Sequence, residues 1–269
     1  MKLIHQLYAI FQKDLLIKIS YKASFVYDFI SIFLKVMILY FISQFMNLDQ
    51  QEEFSIPSYF SYAIFGLCFM EIMSSIIGIT PREIEDMKKT GILEEIILLP
   101  INNFTVILGC NIYQVFMSII KVIIYLTFGS LLASGALVEI EYFFIFLITF
   151  FFLISSFIFI SMIASALSIW FARSSLVPIL YITLSLVLGE IYFPKELLHH
   201  ELSILSNLFS LSPALEVFRM LNDSSFKEQV FLINILHLLI LNLIYGLTSL
   251  VIFQRAIKYA KSNGSFLYY

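Results

Sequence analysis

Apolar positions in this chain gather into six long blocks, and within each block they run continuously instead of alternating with polar ones. The blocks cover 25–46, 58–79, 106–132, 142–171, 175–192 and 230–253. A bilayer hydrocarbon core about 30 Å thick takes roughly 20 apolar residues per helix, so each block is a candidate span. Several are longer than one crossing requires, which predicts tilt or extension past the core. Backbone polar groups find no partners in lipid, so a span is either a helix or a strand of a closed barrel. Barrel strands alternate lipid-facing and lumen-facing residues, and the apolar run 143–163 does not alternate. The expectation is an all-α integral membrane protein with six transmembrane helices.

Three segments outside the blocks carry their own patterns. In 3–22, Leu3, Leu7, Phe11 and Leu15 recur every fourth position with Ile4 and Tyr8 beside them, while Lys2, Gln6, Gln12 and Lys13 point elsewhere. That describes an amphipathic helix in the cytoplasmic interface, its lysines reaching toward anionic headgroups; a plain extension of the first span is the alternative. In 80–104, Pro81 suits the first turn of a helix. Charges then fill the positions from Arg82 to Lys89, Thr90 and Gly91 break the run, and an apolar stretch continues from Ile92 to Pro100. This predicts a short charged helix, a bend, and a second interfacial helix. In 192–229, the apolar run 202–211 is about ten residues, too short to cross, and Ser212-Pro213 punctuates it before a further apolar stretch. Re-entrant helices between spans five and six are expected there. No internal repeat, low-complexity tract or flexible linker divides the chain, so 1–269 reads as one domain.

Composition agrees with a membrane chain. Hydrophobic residues make up 60% and charged residues 13%, with a mean hydropathy of +0.94, which excludes a water-facing fold of this size. Basic residues alternate in side. Lys2, Lys13, Lys18 and Lys22 precede span one, whereas the following loop holds Asp49, Glu52 and Glu53 and no base. Arg82, Lys88 and Lys89 follow span two, the stretch 133–141 has no base, Arg173 follows span four, and Arg255, Lys258 and Lys261 follow span six. Positive residues favour the cytoplasmic side, which predicts a multi-pass protein of the cytoplasmic membrane with both termini inside. Lys195, Arg219 and Lys227 fall outside, in a longer segment where that rule carries less. The net charge of −3 and the absence of a basic-aromatic patch argue against nucleic acid as a partner. No cleavable signal peptide is expected, nor a structural disulfide, because Cys68 and Cys110 lie in or near spans.

Candidate chemistry is sparse. A metal site needs three or four convergent ligands, and His199, His200 and Glu201, adjacent on the chain, would diverge on a helix; His5 and His237 stand apart. No metal site is expected. The sequence holds no nucleophile elbow, no HExxH pair and no GxxxxGK phosphate loop. It therefore reads as a non-enzyme with no catalytic residue and no cofactor of its own, unable to hydrolyse ATP by the usual route. Charges within the spans are the remaining polar candidates: Lys35, Glu71 and Lys121, with Glu190 near the outer end of span five. A charge at the bilayer centre costs about 2.5–3.5 kcal/mol on insertion scales and should face protein or water. At about 1.5 Å rise per residue, Lys35 and Glu71 sit at matching depths, roughly 15 Å and 12 Å above the inner ends of their spans. This predicts a Lys35–Glu71 pair between neighbouring helices. The alternatives are a snorkelling Lys35, or two groups lining a wet cavity separately.

Two local motifs bear a family resemblance. Gly91-Ile92-Leu93-Glu94-Glu95-Ile96-Ile97-Leu98-Leu99-Pro100-Ile101, preceded by Glu83, Glu85 and Asp86, is similar to a stretch G-T-L-E-x-L-L-x-x-P followed by Ile or Val. Tyr192-Phe193-Pro194, then Ser212-Pro213 and Glu216-Val217-Phe218-Arg219, is similar to an F-P segment, a downstream proline and a closing E-x-x-R. With these motifs between the matching spans, essentially the whole chain resembles the membrane subunit of ABC exporters of the ABC-2 type. Ile92 in place of the usual Thr, and a Gly189 one residue further from Pro194, depart from the pattern. The resemblance implies a second permease subunit, identical or homologous, and a separate cytoplasmic ATPase subunit that holds ATP and Mg. It implies a coupling helix formed by Arg82, Glu83, Glu85, Asp86, Lys88 and Lys89, with Gly91, Glu94 and Glu95 following. It further implies an outer gate at Tyr192, Phe193, Pro194, Pro213 and Arg219, near Glu190, and export of a hydrophobic or amphipathic cargo such as a drug, lipid-like molecule or peptide. Arg219 has two possible partners, Glu216 or another outer carboxylate. The competing readings are an ion-coupled secondary transporter using Lys35, Glu71 and Lys121 as a relay, a polysaccharide-exporting permease, a non-transporting anchor or sensor, and an intramembrane enzyme.

Overall fold

A computed structural model describes residues 2–48, 59–93, 95, 103–132, 140–170, 176–192, 199–221 and 227–263. Among the described residues the regular structure is entirely helical. Helix α1 (Lys2–Ser20) and helix α2 (Lys22–Leu48) are separated at Tyr21. Helices α3 (Tyr59–Lys89) and α4 (Asn103–Leu132) follow, then a 3-10 turn (Ile140–Tyr142) leading into α5 (Phe143–Trp170). Helix α6 (Leu176–Leu188) precedes two short helices, α7 (His200–Ser206) and α8 (Leu211–Met220), and α9 (Glu228–Asn263) closes the described chain.

Five of these helices hold a stretch long and apolar enough to cross a bilayer: Phe25–Phe45, Tyr59–Lys89, Leu108–Leu132, Phe143–Trp170 and Glu228–Ala260. The chain is thus all-α in its described part and has the make-up of a multi-pass membrane protein. Over the expected span 175–192, helix α6 has 13 residues, about 20 Å at 1.5 Å per residue and short of the hydrocarbon core. It ends where the Gly189 N–H bonds back to the Ser185 carbonyl at 2.9 Å and Glu190 adopts a left-handed φ of 58°. That conformation cannot continue a right-handed helix.

The expectation that Pro81 opens a separate helix is corrected. Helix α3 runs unbroken through Pro81 to Lys89, so the charged segment is the end of a spanning helix and not a detached one. Proline in a helix interior forfeits one backbone bond and costs about 3 kcal/mol. Here Ile76, Ile77, Thr80, Pro81 and Ile84 are all buried, and tertiary packing outweighs that local penalty. The expected bend occurs where it was foreseen, at Thr90 and Gly91, and most of the interfacial helix expected after it lies outside the described residues. Gly91 takes φ 75°, the left-handed conformation that glycine adopts without strain past a helix C-terminus. The last helix also exceeds its expected limit at 253, so Arg255 and Lys258 ride on the same helix as the span.

Helix α3 is the most enclosed span and α2 the most open. It packs against α2, α4, α5, α6 and α8, while α9 lies along α5 and α1 lies along α4. The main core joins Ile64, Phe65, Phe69, Ile72 and Ile76 of α3 to Leu153 and Phe157 of α5 and to Leu215 and Phe218 of α8. Phe218 stacks on Phe69 with ring centroids 4.4 Å apart. A second core gathers Ile84 and Leu93 with Met162, Ala166 and Ile169 of α5 and Phe253, Ala256, Ile257 and Ala260 of α9. Polar side chains stitch the helices where carbon alone cannot set register. Thr80 donates to Asn111 Oδ1 of α4 at 2.9 Å, and Asn242 of α9 donates to the Phe152 carbonyl of α5 at 3.0 Å.

Candidate functional site

Three polar constellations lie along α3, at its middle and at its two ends. The middle one joins three helices. Lys35 Nζ of α2 forms an ion pair with Glu71 Oε2 of α3. Lys121 Nζ of α4 lies 3.6 Å from the other oxygen, Oε1, and donates to Ser75 Oγ at 3.1 Å. The serine hydroxyl itself donates to the Glu71 carbonyl at 2.9 Å, so one turn of α3 presents both a carboxylate and an oriented hydroxyl. The expected Lys35–Glu71 pair is present. The pair as read from depth left Lys121 out, and only the relay alternative grouped it with the other two, because helix order around α3 is a tertiary fact. The side chains are 40%, 26% and 17% exposed for Lys35, Glu71 and Lys121 respectively, so the cluster is open on the α2 side and closed on the α4 side. Tyr125, one turn beyond Lys121, is fully buried. Its hydroxyl has no hydrogen-bond partner among the described residues and lies within electrostatic reach of Glu71 and Cys68.

At the other end of α3 from Lys89, the chain turns at Glu190. Arg219 of α8 donates through its terminal nitrogen to the Glu190 carbonyl and to the Ile191 carbonyl at 3.4 Å. Its Nε donates to the Tyr62 carbonyl of α3 at 3.4 Å. The guanidinium also lies over the Tyr62 ring, 3.5 Å from the centroid, a geometry in which the ring face attracts the cation. Ser212 donates its hydroxyl to Glu190 Oε1. Gly66 lets the Ile191 carbonyl come close enough that a Cβ there would lie 2.4 Å from its oxygen. Of the two partners foreseen for Arg219, neither carboxylate supplies these bonds; they go to backbone carbonyls around Glu190, and Glu216 is exposed. Pro213 is buried in the first turn of α8, where its missing N–H needs no helical partner. Tyr192 is partly buried, while Phe193 and Pro194 lie outside the described residues.

The Lys89 end of α3 carries the charged segment and the bend at Gly91. Arg82 is exposed, Glu85 pairs with Lys89 at 2.7 Å one turn on, and Lys88 Nζ reaches the Ile169 carbonyl of α5 at 3.5 Å. The Asp86 carbonyl accepts from the Thr90 N–H at 3.0 Å and from its hydroxyl at 2.9 Å, which closes the helix before Gly91. Glu83 faces Cys110, Asp14 and Lys13. Lys13 pairs with Asp14 at 3.1 Å; burial disfavours its charge, but the hydrogen bond and charge of Asp14 together with the charge of Glu83 outweigh it and raise its pKa above the usual lysine value. Glu95 is exposed, and Glu94 lies outside the described residues.

A scan of the chain against known family models and a search of curated proteins found no match. Sequence reasoning missed Tyr62, Gly66, Ser75, Tyr125 and Ser212. Gly66 carried a legible signal, a glycine inside a span, where close backbone approach is a common reason. The others are ordinary residues until their neighbours are known.

Proposed function

We propose that this chain is the transmembrane subunit of an ATP-driven exporter of the ABC-2 type. It moves a hydrophobic or amphipathic cargo outward across the cytoplasmic membrane with force received from a separate cytoplasmic ATPase. The observation that carries this reading is the continuity of α3. One unbroken helix, Tyr59–Lys89, holds the Arg219-braced corner near one end, the ion cluster at its middle and the charged hairpin at the other. A helix of 31 residues spans about 46 Å at 1.5 Å per residue. Displacement of the hairpin thereby reaches the far corner as a rigid-body movement, without loss in an intervening loop. The hairpin is seated for that purpose, since Ile84 and Leu93 pack on α5 and α9.

In this reading both termini are cytoplasmic, the sixth crossing is made by α6 with its flanking residues, and α7 and α8 re-enter the outer leaflet. Two permease subunits pair and each docks one ATPase, which binds ATP and Mg. The test is co-purification with the ATPase encoded for it. Replacing Glu85, Lys88 or Glu95 singly by an opposite charge is expected to weaken ATPase association several-fold while membrane insertion is unchanged. Unchanged association in all three variants overturns the docking site.

One observation favours a second reading, an ion-coupled secondary transporter: Lys35, Glu71 and Lys121 form a charged cluster at mid-span, the kind of group that relays ions in such proteins. Flux that survives ATP depletion but stops when the ion gradient is collapsed selects it. Flux that stops on ATP depletion selects the exporter.

A further inference from the structure

The mid-span cluster has an unbalanced charge. Among the described residues, two ammonium groups, Lys35 and Lys121, share the single carboxylate of Glu71. The next acid on α2, Asp28, lies seven positions back, about 10 Å along the axis at 1.5 Å per residue. Lys35 stands ten positions inside either end of its candidate span, Phe25–Phe45, too deep for its side chain to reach headgroups without distortion. A residual positive charge at such a depth is unfavourable unless something neutralises it. The cluster is also open: the Lys35 side chain is 40% exposed. The surrounding surface of α2 is apolar, with Leu34 and Ile38 exposed beside Lys35.

From this we infer that the cluster is a binding site for the acidic group of a monoanionic amphiphile, a carboxylate or a singly charged phosphate ester with an apolar body. The acid completes the charge of Lys35 and Lys121, and the apolar body lies along α2. The inference deepens the exporter reading by naming the chemical class of its cargo, and it rests on that reading only for transport, not for binding.

The test uses the full chain in nanodiscs of zwitterionic lipid, titrated with a fluorescent long-chain carboxylate and with its uncharged methyl ester. The carboxylate is expected to bind at least about tenfold more tightly than the ester. Lys35→Gln and Lys121→Gln each leave one ammonium facing one carboxylate, so both should reduce the preference to about twofold or less. The double variant Lys35→Gln/Glu71→Gln restores one net positive charge and should recover most of it. A merely structural ion pair predicts the opposite, namely that the double variant is no better than the single. Thermal unfolding in the same nanodiscs identifies any variant that fails to fold, and the wild-type comparison of acid and ester stands without variants. Equal affinity for acid and ester in the wild type, or a preference unchanged in both lysine variants, overturns the proposal. Competition by anionic phospholipid identifies a resident lipid as the source of the acid, and ATP-dependent movement of the probe in vesicles with the ATPase identifies cargo. Binding without ATP-dependent movement leaves the site standing and overturns the assignment of this acid class as the exporter's cargo.

Discussion

Gly66 and Gly78 sit on the same helix and differ in what surrounds them. A Cβ at Gly66 would lie 2.4 Å from the Ile191 carbonyl oxygen, whereas a Cβ at Gly78 would meet nothing within 4 Å. Backbone cannot rotate away as a side chain can, so Gly66→Ala must push the corner at Glu190 off α3 and is expected to destabilise by about 1–3 kcal/mol. Gly78→Ala should be neutral or stabilise by up to about 1 kcal/mol, because alanine favours helix over glycine. Thermal unfolding of both variants in one detergent checks the pair; equal effects would remove the close contact. Arg219 acts on the same corner through a different property. Its guanidinium bonds the Glu190 and Ile191 carbonyls through one nitrogen and the Tyr62 carbonyl through another, and lies over the Tyr62 ring, which a lysine cannot reproduce. Arg219→Lys should therefore behave as a loss, despite keeping the charge.

At the level of elements, helices in lipid gain nothing from exchanging one apolar neighbour for another, so polar contacts set register between them. The α3–α4 contact contains such a fastening, the bond from Thr80 to Asn111, both residues being buried. Thr80→Val keeps the shape and removes the donor, and is expected to cost about 1–2 kcal/mol. Thr80→Ser keeps the hydroxyl and should cost less. If unfolding free energies show valine and serine to be equivalent, packing rather than this bond holds α4 on α3. The bond lies one residue from Pro81, where α3 lacks a backbone donor, so the fastening also braces the helix at its weakest turn.

For the whole molecule, the proposed topology puts the Gly91 hairpin and the α9 tail on one face and the α7–α8 pair on the other. Single cysteines introduced at exposed Arg82 and Lys258 should react with a membrane-impermeant maleimide only from the cytoplasmic side. One at exposed His199 should react only from outside. Cys68 and Cys110 are buried and should contribute little labelling of their own. Labelling of Arg82→Cys and His199→Cys from the same side would mean an even number of crossings between them, and would remove α6 as a span.

Hydrophobic patterning alone determined that this is a helical membrane protein, because lipid leaves the backbone no other way to satisfy its own polar groups except a closed barrel. It also placed the helix ends within a few residues for α2, α4 and α5, and matched Lys35 with Glu71, since depth along a helix follows from counting residues. Pro81 shows where counting stops: its local preference is to begin a helix, and burial of its neighbours against other helices overrode that preference. The arrival of Lys121 at Glu71, and of Arg219 at the carbonyls of Glu190 and Ile191, depends on which helices lie side by side and on how each is rotated. Those choices are made by contacts between residues far apart in the chain, and only the tertiary structure decided them.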